Sequence, residues 1–162
     1  MPSLPVPGLT ICQPWASLIA WGDKRVENRT WRESYRGPLL IHAGKSRLFL
    51  DRYGDVSDVP GPRPLPMGAI VATAWLTACV RAPVARHHAW ALTHPYADAG
   101  KVWWLLERVR PLERPLPWRG AQGLWNASDA CRALGLPATF DPEDFDPAAW
   151  PEEIEEGSAR RG

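Results

Sequence analysis

The sequence is poor in the residues that most often define a metal or disulfide site. Its 162 residues include three cysteines, Cys12, Cys79 and Cys131, which are scattered and odd in number. This arrangement predicts neither a disulfide framework nor a zinc site. The four histidines form no ligand spacing with the cysteines either. We therefore expect no metal and no cofactor.

Long hydrophobic segments are also missing from the sequence. The longest apolar run, residues 69–80, contains two threonines and is too short to span a bilayer. No basic segment precedes an apolar core near the N-terminus, so we predict no signal peptide. These features are typical of a cytoplasmic protein with no membrane partner.

Lysine is scarce, with three residues, while arginine is abundant. The formal net charge of +1 conceals an uneven distribution, because residues 1–140 carry +7 and residues 141–162 carry −6. A basic body attracts polyanions, which makes nucleic acid the predicted partner class. Residues 141–162 combine prolines and acids without a core face, and we expect a poorly ordered acidic tail. That tail either promotes solubility or competes with nucleic acid for the basic body, and it is also open to a protein partner.

Hydrophobic patterning predicts about five to six short strands and two to three helices in mixed order. This order favours an α+β domain built on a curved sheet or small barrel. Pro111, Pro115 and Pro117 are expected to interrupt regular structure after Arg110. The predicted strands cover residues 9–13, 25–30, 38–43, 68–80, 102–110 and 123–126, and the predicted helices cover about 14–21, 46–53 and 128–134, with a helical turn over 84–92.

A cluster of charged and indole side chains follows the first predicted strand. Lys24, Glu27 and Arg29 lie between Trp15 and Trp31 in the sequence. Glu27 and Arg29 share one face of a strand, which Lys24 can join only from the preceding turn or through a bulge. Lysine and arginine bind phosphate or carboxylate, and tryptophan offers a stacking face. The cluster predicts a concave site for an anionic, planar ligand, with a surface ion-pair cluster as the alternative.

Five segments of the chain resemble the ASCH domain, the activating-signal-cointegrator homology domain. They are Q-P-W-A-S-L at 13–18, G-x-K-x-x-E-x-R-x-W at 22–31, R-G-x-L-x-I at 36–41, W-W-L-L-E at 103–107 and P-x-R-G-x-Q-G-L-W at 117–125. Together they extend over about residues 9–127. The resemblance implies that residues 1–140 form a PUA-like small curved β-barrel of five to six strands flanked by two to three helices. It also implies a cleft lined by Lys24, Glu27 and Arg29.

The same resemblance implies nucleic acid or a modified nucleoside as the ligand. Members of the family are DNA- or RNA-binding modules, a ribonuclease activity has been attributed to one, and a bacterial branch removes the acetyl group from N4-acetylcytidine. Lys24 and Arg29 match that amidohydrolase branch, but Glu27 stands where the branch has a nucleophilic threonine. Without the hydroxyl the covalent step is lost. Glu27 is instead a candidate general base on water, with Lys24 as electrostatic stabiliser.

Individual residues of the predicted site have more than one interpretation. Trp31 shares the strand face of Glu27 and is the better stacking candidate, whereas Trp15 at the helix start is favoured as core. Gln13 either reads a base edge or caps a turn. Arg36 and Arg119 each precede a glycine, where the backbone can approach a ligand closely. The predicted ligand-binding residues are Gln13, Trp15, Lys24, Glu27, Arg29, Trp31, Arg36 and Arg119.

Three functions follow from these residues. The main prediction is a module that binds RNA or single-stranded DNA in the Lys/Glu/Arg cleft. The alternative is a metal-independent hydrolase, either a ribonuclease or a modified-nucleoside amidohydrolase, with Lys24 and Glu27 as its catalytic residues. The weakest is a protein-interaction module that recruits an acidic partner.

Overall fold

A computed structural model describes residues 3–143 of the chain, so all but the first three residues of the predicted acidic tail lie outside the described part. Within it, short helices alternate with strands of very different length. In chain order the elements are β1 (Leu4–Pro5), β2 (Pro7–Ile11), α1 (Trp15–Ala20), β3 (Val26–Arg29), β4 (Gly37–Ala43), α2 (Leu48–Tyr53), β5 (Ala69–Val80), a 3-10 helix (Arg86–Thr93), β6 (Val102–Pro117), β7 (Leu124–Asn126), α3 (Ser128–Ala133) and β8 (Thr139–Phe140).

Six of the strands form one curled sheet in the order β3-β6-β5-β4-β2-β7. Its neighbours are antiparallel except for β2 and β4, which are parallel. The sheet closes to a half-barrel, and β1 pairs separately with β8. The predicted α+β fold on a small curved sheet is therefore confirmed.

The longest pair of strands, β5 and β6, supplies much of the curvature. Their register shifts at three places, and Arg108 at one of these shifts takes a left-handed φ of 51°. The expectation that regular structure stops after Arg110 is wrong, because β6 continues through Pro111 and Pro115 to Pro117. β3 pairs only with residues 102–105 of β6. The prolines therefore lie at bulges or along an edge where a missing N–H breaks no ladder bond.

The main core lies between the inner face of the sheet and α1. Leu9, Leu39, Ile41 and Leu106 from three strands are fully buried there, together with Ile19 of α1. Alternation along each strand directs these side chains to one face. The core therefore fixes α1, and the turn that follows it, against the sheet.

Both ends of α1 are held by side-chain hydrogen bonds. At its start, Gln13 Oε1 accepts from the Ser17 N–H at 3.0 Å, and Gln13 Nε2 donates to the Pro66 carbonyl at 2.7 Å. At its end, the Arg25 guanidinium donates to the carbonyls of Ile19, Gly22 and Lys24. Gln13 thus satisfies a free N–H at the start of the helix, and Arg25 satisfies the free Ile19 carbonyl at its end. These bonds also set the turn that carries Lys24.

Leucine truncation tests the position of the core. We expect Leu39→Ala to lower the free energy of unfolding by about 2–5 kcal/mol, because it opens a cavity in a fully buried site. The matched Leu48→Ala variant, at a leucine that is 51% exposed, should change it by less than about 0.5 kcal/mol. Urea denaturation measures both. Equal losses in the two variants would contradict this assignment of the core.

Candidate functional site

An arginine bridges the open side of the half-barrel. Arg29 lies in β3, at one end of the strand order, and its Nη2 donates to the Thr10 carbonyl of β2 at 3.0 Å. Thr10, Cys12 and Arg29 line two cavities, of about 580 Å³ and about 1070 Å³. The bridge therefore lies on the wall between them.

The smaller cavity, here called the Lys24 pocket, combines charged groups with aromatic rings. Its lining has two carboxylate residues, three cationic residues and four aromatic residues. These and its remaining lining residues are Thr10, Ile11, Cys12, Trp15, Lys24, Glu27, Asn28, Arg29, Phe49, Tyr53, Pro95, Tyr96, Asp98 and Lys101.

A buried pair of opposite charges lies in this pocket. Lys24 and Glu27 are only 2% and 7% exposed, and Lys24 Nζ lies 3.8 Å from Glu27 Oε1. Lys24 reaches Glu27 from the turn before β3, as strand alternation requires, and its ammonium donates to the Val26 carbonyl. Burial lowers the pKa of Lys24, while the Glu27 carboxylate opposes that shift. The ammonium also lies 5.7 Å from the centre of the Tyr96 ring.

Two buried polar atoms of the pocket residues have no hydrogen-bond partner among residues 3–143. They are the acceptor Oε2 of Glu27 and the donor Nε of Arg29. A buried polar atom without a partner costs about 1–3 kcal/mol, and most such atoms in native proteins are satisfied. A ligand that donates to Glu27 and accepts from Arg29 would recover this cost.

Aromatic rings form the apolar wall of the Lys24 pocket. Trp15 is half-buried and makes edge contacts with Tyr53, Phe49 and Tyr96 at centroid distances of 5.7, 6.3 and 6.4 Å. Such contacts fix the ring orientations. The pocket therefore offers ordered aromatic surface beside its charged groups.

The loop that carries Tyr96 is tied to β3 by an asparagine. Asn28 Nδ2 donates to the Tyr96 carbonyl at 2.7 Å, and Asn28 Oδ1 accepts from the Asp98 N–H at 3.0 Å. Sequence reasoning missed Tyr96 and Asp98, because they join the pocket from about 70 positions further along the chain. No spacing within the motif around Lys24 indicated them.

The larger cavity, here called the Arg119 groove, has a different charge. It has the cations Arg29, Lys45 and Arg119, and the described residues that line it include no carboxylate. Trp31 also lines it and packs edge-on against Trp104 at a centroid distance of 4.6 Å. The full lining is Thr10, Cys12, Arg29, Trp31, His42, Gly44, Lys45, Gly68, Pro117, Trp118, Arg119, Gly120, Ala121, Gln122 and Gly123.

The structure brings six of the eight predicted ligand-binding residues to the two cavities. Trp15, Lys24 and Glu27 line the Lys24 pocket, Trp31 and Arg119 line the Arg119 groove, and Arg29 lines both.

The other two predicted residues, Gln13 and Arg36, line neither cavity. Gln13 is fully buried with its amide committed to the main chain at the start of α1. Arg36 is exposed and donates to the carbonyls of Glu33 and Tyr35.

The described part of the chain has neither a metal-binding cluster nor a membrane-spanning helix. Among residues 3–143, no group of three or more His, Cys, Asp or Glu side chains is placed to hold a metal ion. No helix in this part of the chain is both long and apolar enough to cross a membrane.

The curled six-stranded sheet with short helices defines a PUA-like α+β domain. Residues 9–116 match the ASCH domain family. The chain therefore belongs to this family, as its motifs predicted.

The chain is similar to Activating signal cointegrator 1 from two mammals. It is 32% identical to the Homo sapiens protein and 33% identical to the Mus musculus protein, in each case over 81 residues. The matched region is 44% of this chain and 14% of each relative. The chain thus spans a small part of the length of these curated relatives.

A double-mutant cycle tests the coupling of the buried charges. Lys24→Met leaves Glu27 without its cation, and Glu27→Leu leaves Lys24 without its anion, so each should lower the free energy of unfolding by about 3 kcal/mol. The double variant should lose less than the sum, because no unpaired charge remains. Urea denaturation measures the three variants.

A second pair with the same sequence spacing provides the control for this cycle. Arg132 and Asp129 lie 2.8 Å apart, but their side chains are 63% and 85% exposed. Its cycle, with Arg132→Met and Asp129→Leu, should give a coupling below about 1 kcal/mol. Additive losses at Lys24 and Glu27 would show that the buried charges do not stabilise one another.

Proposed function

We propose that the protein is a nucleic-acid-binding module for RNA or single-stranded DNA, and that one base enters the Lys24 pocket. The observation that carries this proposal is the buried Glu27 carboxylate: Glu27 lines an aromatic-walled cavity, and its Oε2 has no hydrogen-bond partner among the described residues. Membership of the ASCH domain family supports nucleic acid as the ligand class. The excess of positive charge in residues 1–140 agrees with a polyanionic partner.

Each group of the Lys24 pocket has a role in this proposal. Glu27 Oε2 accepts from an amino group of the base, and Arg29 Nε donates to an acceptor on the same nucleotide. Trp15 and Tyr96 contact the base face, since aromatic rings bind bases with little dependence on sequence. A volume of about 580 Å³ suits one nucleotide rather than a folded strand. Gln13 acts indirectly, as a positioning residue that holds the start of α1.

The same geometry favours a second candidate, a metal-independent hydrolase. A buried carboxylate with an unpartnered oxygen can take a proton from an attacking water, while Lys24 and Arg29 stabilise the negative charge that develops. The substrate would be RNA or a modified nucleoside, with Lys24 and Glu27 as catalytic residues. Binding and hydrolysis need the same charges, so product formation distinguishes them.

The test uses Glu27→Gln with labelled single-stranded RNA and DNA, without added metal, and scores both retention and cleavage. A binding module predicts retention by the wild type, no cleavage, and affinity about tenfold weaker in Glu27→Gln, because a charge-assisted hydrogen bond is lost. The matched Glu107→Gln variant makes the same charge change at an exposed residue and should retain nucleic acid as the wild type does.

Three other results would change the conclusion. Cleavage that disappears in Glu27→Gln while retention survives would identify the hydrolase. Equal retention by Glu27→Gln and Glu107→Gln without cleavage would remove Glu27 from the site. An affinity that does not fall with added salt would contradict contact with a polyanion.

A further inference from the structure

The two cavities differ in the ligand chemistry that they can accept. The Lys24 pocket contains the carboxylates of Glu27 and Asp98 beside its cations, which suits a polar group of little net charge. The Arg119 groove has Arg29, Lys45 and Arg119, and no carboxylate among the described residues that line it. A concave, cationic surface without acids favours an anion.

The two cavities are also adjacent. They share Thr10, Cys12 and Arg29, and the bond from Arg29 Nη2 to the Thr10 carbonyl fixes the guanidinium on their common wall. This wall of three residues therefore separates a group in the pocket from a group in the groove. A nucleotide base and its neighbouring phosphate are joined through one sugar, so a single strand can place one on each side of Arg29.

The Arg119 groove is preorganised by hydrogen bonds around His42. The ring donates from Nε2 to the Trp118 carbonyl at 2.7 Å, so Nδ1 accepts from the Thr10 hydroxyl at 3.2 Å. Burial lowers the pKa of His42, which favours this neutral form. The Trp118 N–H in turn donates to the Gly68 carbonyl at 3.0 Å. These bonds attach the loop that carries Arg119 to the sheet.

Gly120 shows how closely this loop approaches the sheet. A Cβ atom at this position would lie 2.4 Å from Thr10 Oγ1 and 2.6 Å from His42 Nδ1. Only glycine allows that approach without displacing the loop. Arg119 therefore stands beside the groove on a backbone that is held from both sides.

We propose that the Arg119 groove binds the phosphodiester next to the base in the Lys24 pocket, and that the ligand is consequently a nucleotide within a single strand rather than a free nucleoside. This inference rests on the proposed function and specifies its ligand. Lys45 and Arg119 contact the phosphate oxygens, Arg29 contacts both parts of the nucleotide, and Trp31 supplies apolar surface for the sugar or the next base.

The experiment compares wild type with Lys45→Gln/Arg119→Gln. The probe is a fluorescent, mixed-sequence single-stranded RNA decamer, titrated at several salt concentrations, with the four ribonucleosides as competitors. We expect the double variant to bind the decamer roughly tenfold more weakly, and to lose more affinity for the decamer than for the nucleosides. Loss of the contacts to this one phosphate should reduce the magnitude of the slope of log affinity against log salt by about 0.7.

A charge-matched control separates the groove from the general charge of the protein. Arg86→Gln/Arg132→Gln removes two exposed arginines outside both cavities and should keep the wild-type salt slope. Equal weakening in the two double variants would overturn the inference. Decamer binding that is weakened by Glu27→Gln but unaffected by Lys45→Gln/Arg119→Gln would overturn it and leave the proposed function standing. A wild type that binds neither this decamer nor a single-stranded DNA of the same sequence would overturn both.

Discussion

Two opposite charges at the base of the cleft, on Lys24 and Glu27, are almost completely removed from water. The structure around them has to supply the partners that buried charges need. An unpaired charge in such a position costs several kcal/mol, whereas a paired and hydrogen-bonded one is tolerated. Lys24 meets the Val26 carbonyl, the Glu27 carboxylate and the Tyr96 ring. The turn after α1, strand β3 and the loop that is hydrogen-bonded to Asn28 hold these partners in place.

The bridge from Arg29 to Thr10 lies between the two parts of the proposed site. It joins β3 to β2, which are separated by three strands in the order of the sheet, across the open side of the half-barrel. The pocket on one side holds mixed charges and aromatic rings, and the groove on the other holds cations. A single strand of nucleic acid presents the complementary groups in the same order, a base and then a phosphate.

The sequence predicted what depends on local pattern and missed what depends on distant contacts. Strand alternation placed Glu27 and Arg29 on one face, and hydrophobic runs located most strands. The prediction that Pro111 interrupts the strand was wrong because a proline breaks a strand only where its N–H would have been paired. Whether β6 has a free edge at that point depends on the pairing of the whole sheet. The amide of Gln13 is taken by the Pro66 carbonyl, 53 positions away. Tyr96 also joins the pocket from far along the sequence, and no motif near Tyr96 indicates that contact.

The most direct test of nucleic-acid binding in this cleft is the alkylation rate of Cys12. This half-buried thiol lies on the wall shared by the two cavities, while Cys79 and Cys131 are buried and serve as internal references. Burial raises the pKa of Cys131 to about 12, which keeps it unreactive. We predict that saturating single-stranded RNA slows alkylation of Cys12 at least several-fold in the wild type. RNA that binds the protein and leaves the Cys12 rate unchanged would place the ligand elsewhere and contradict the account.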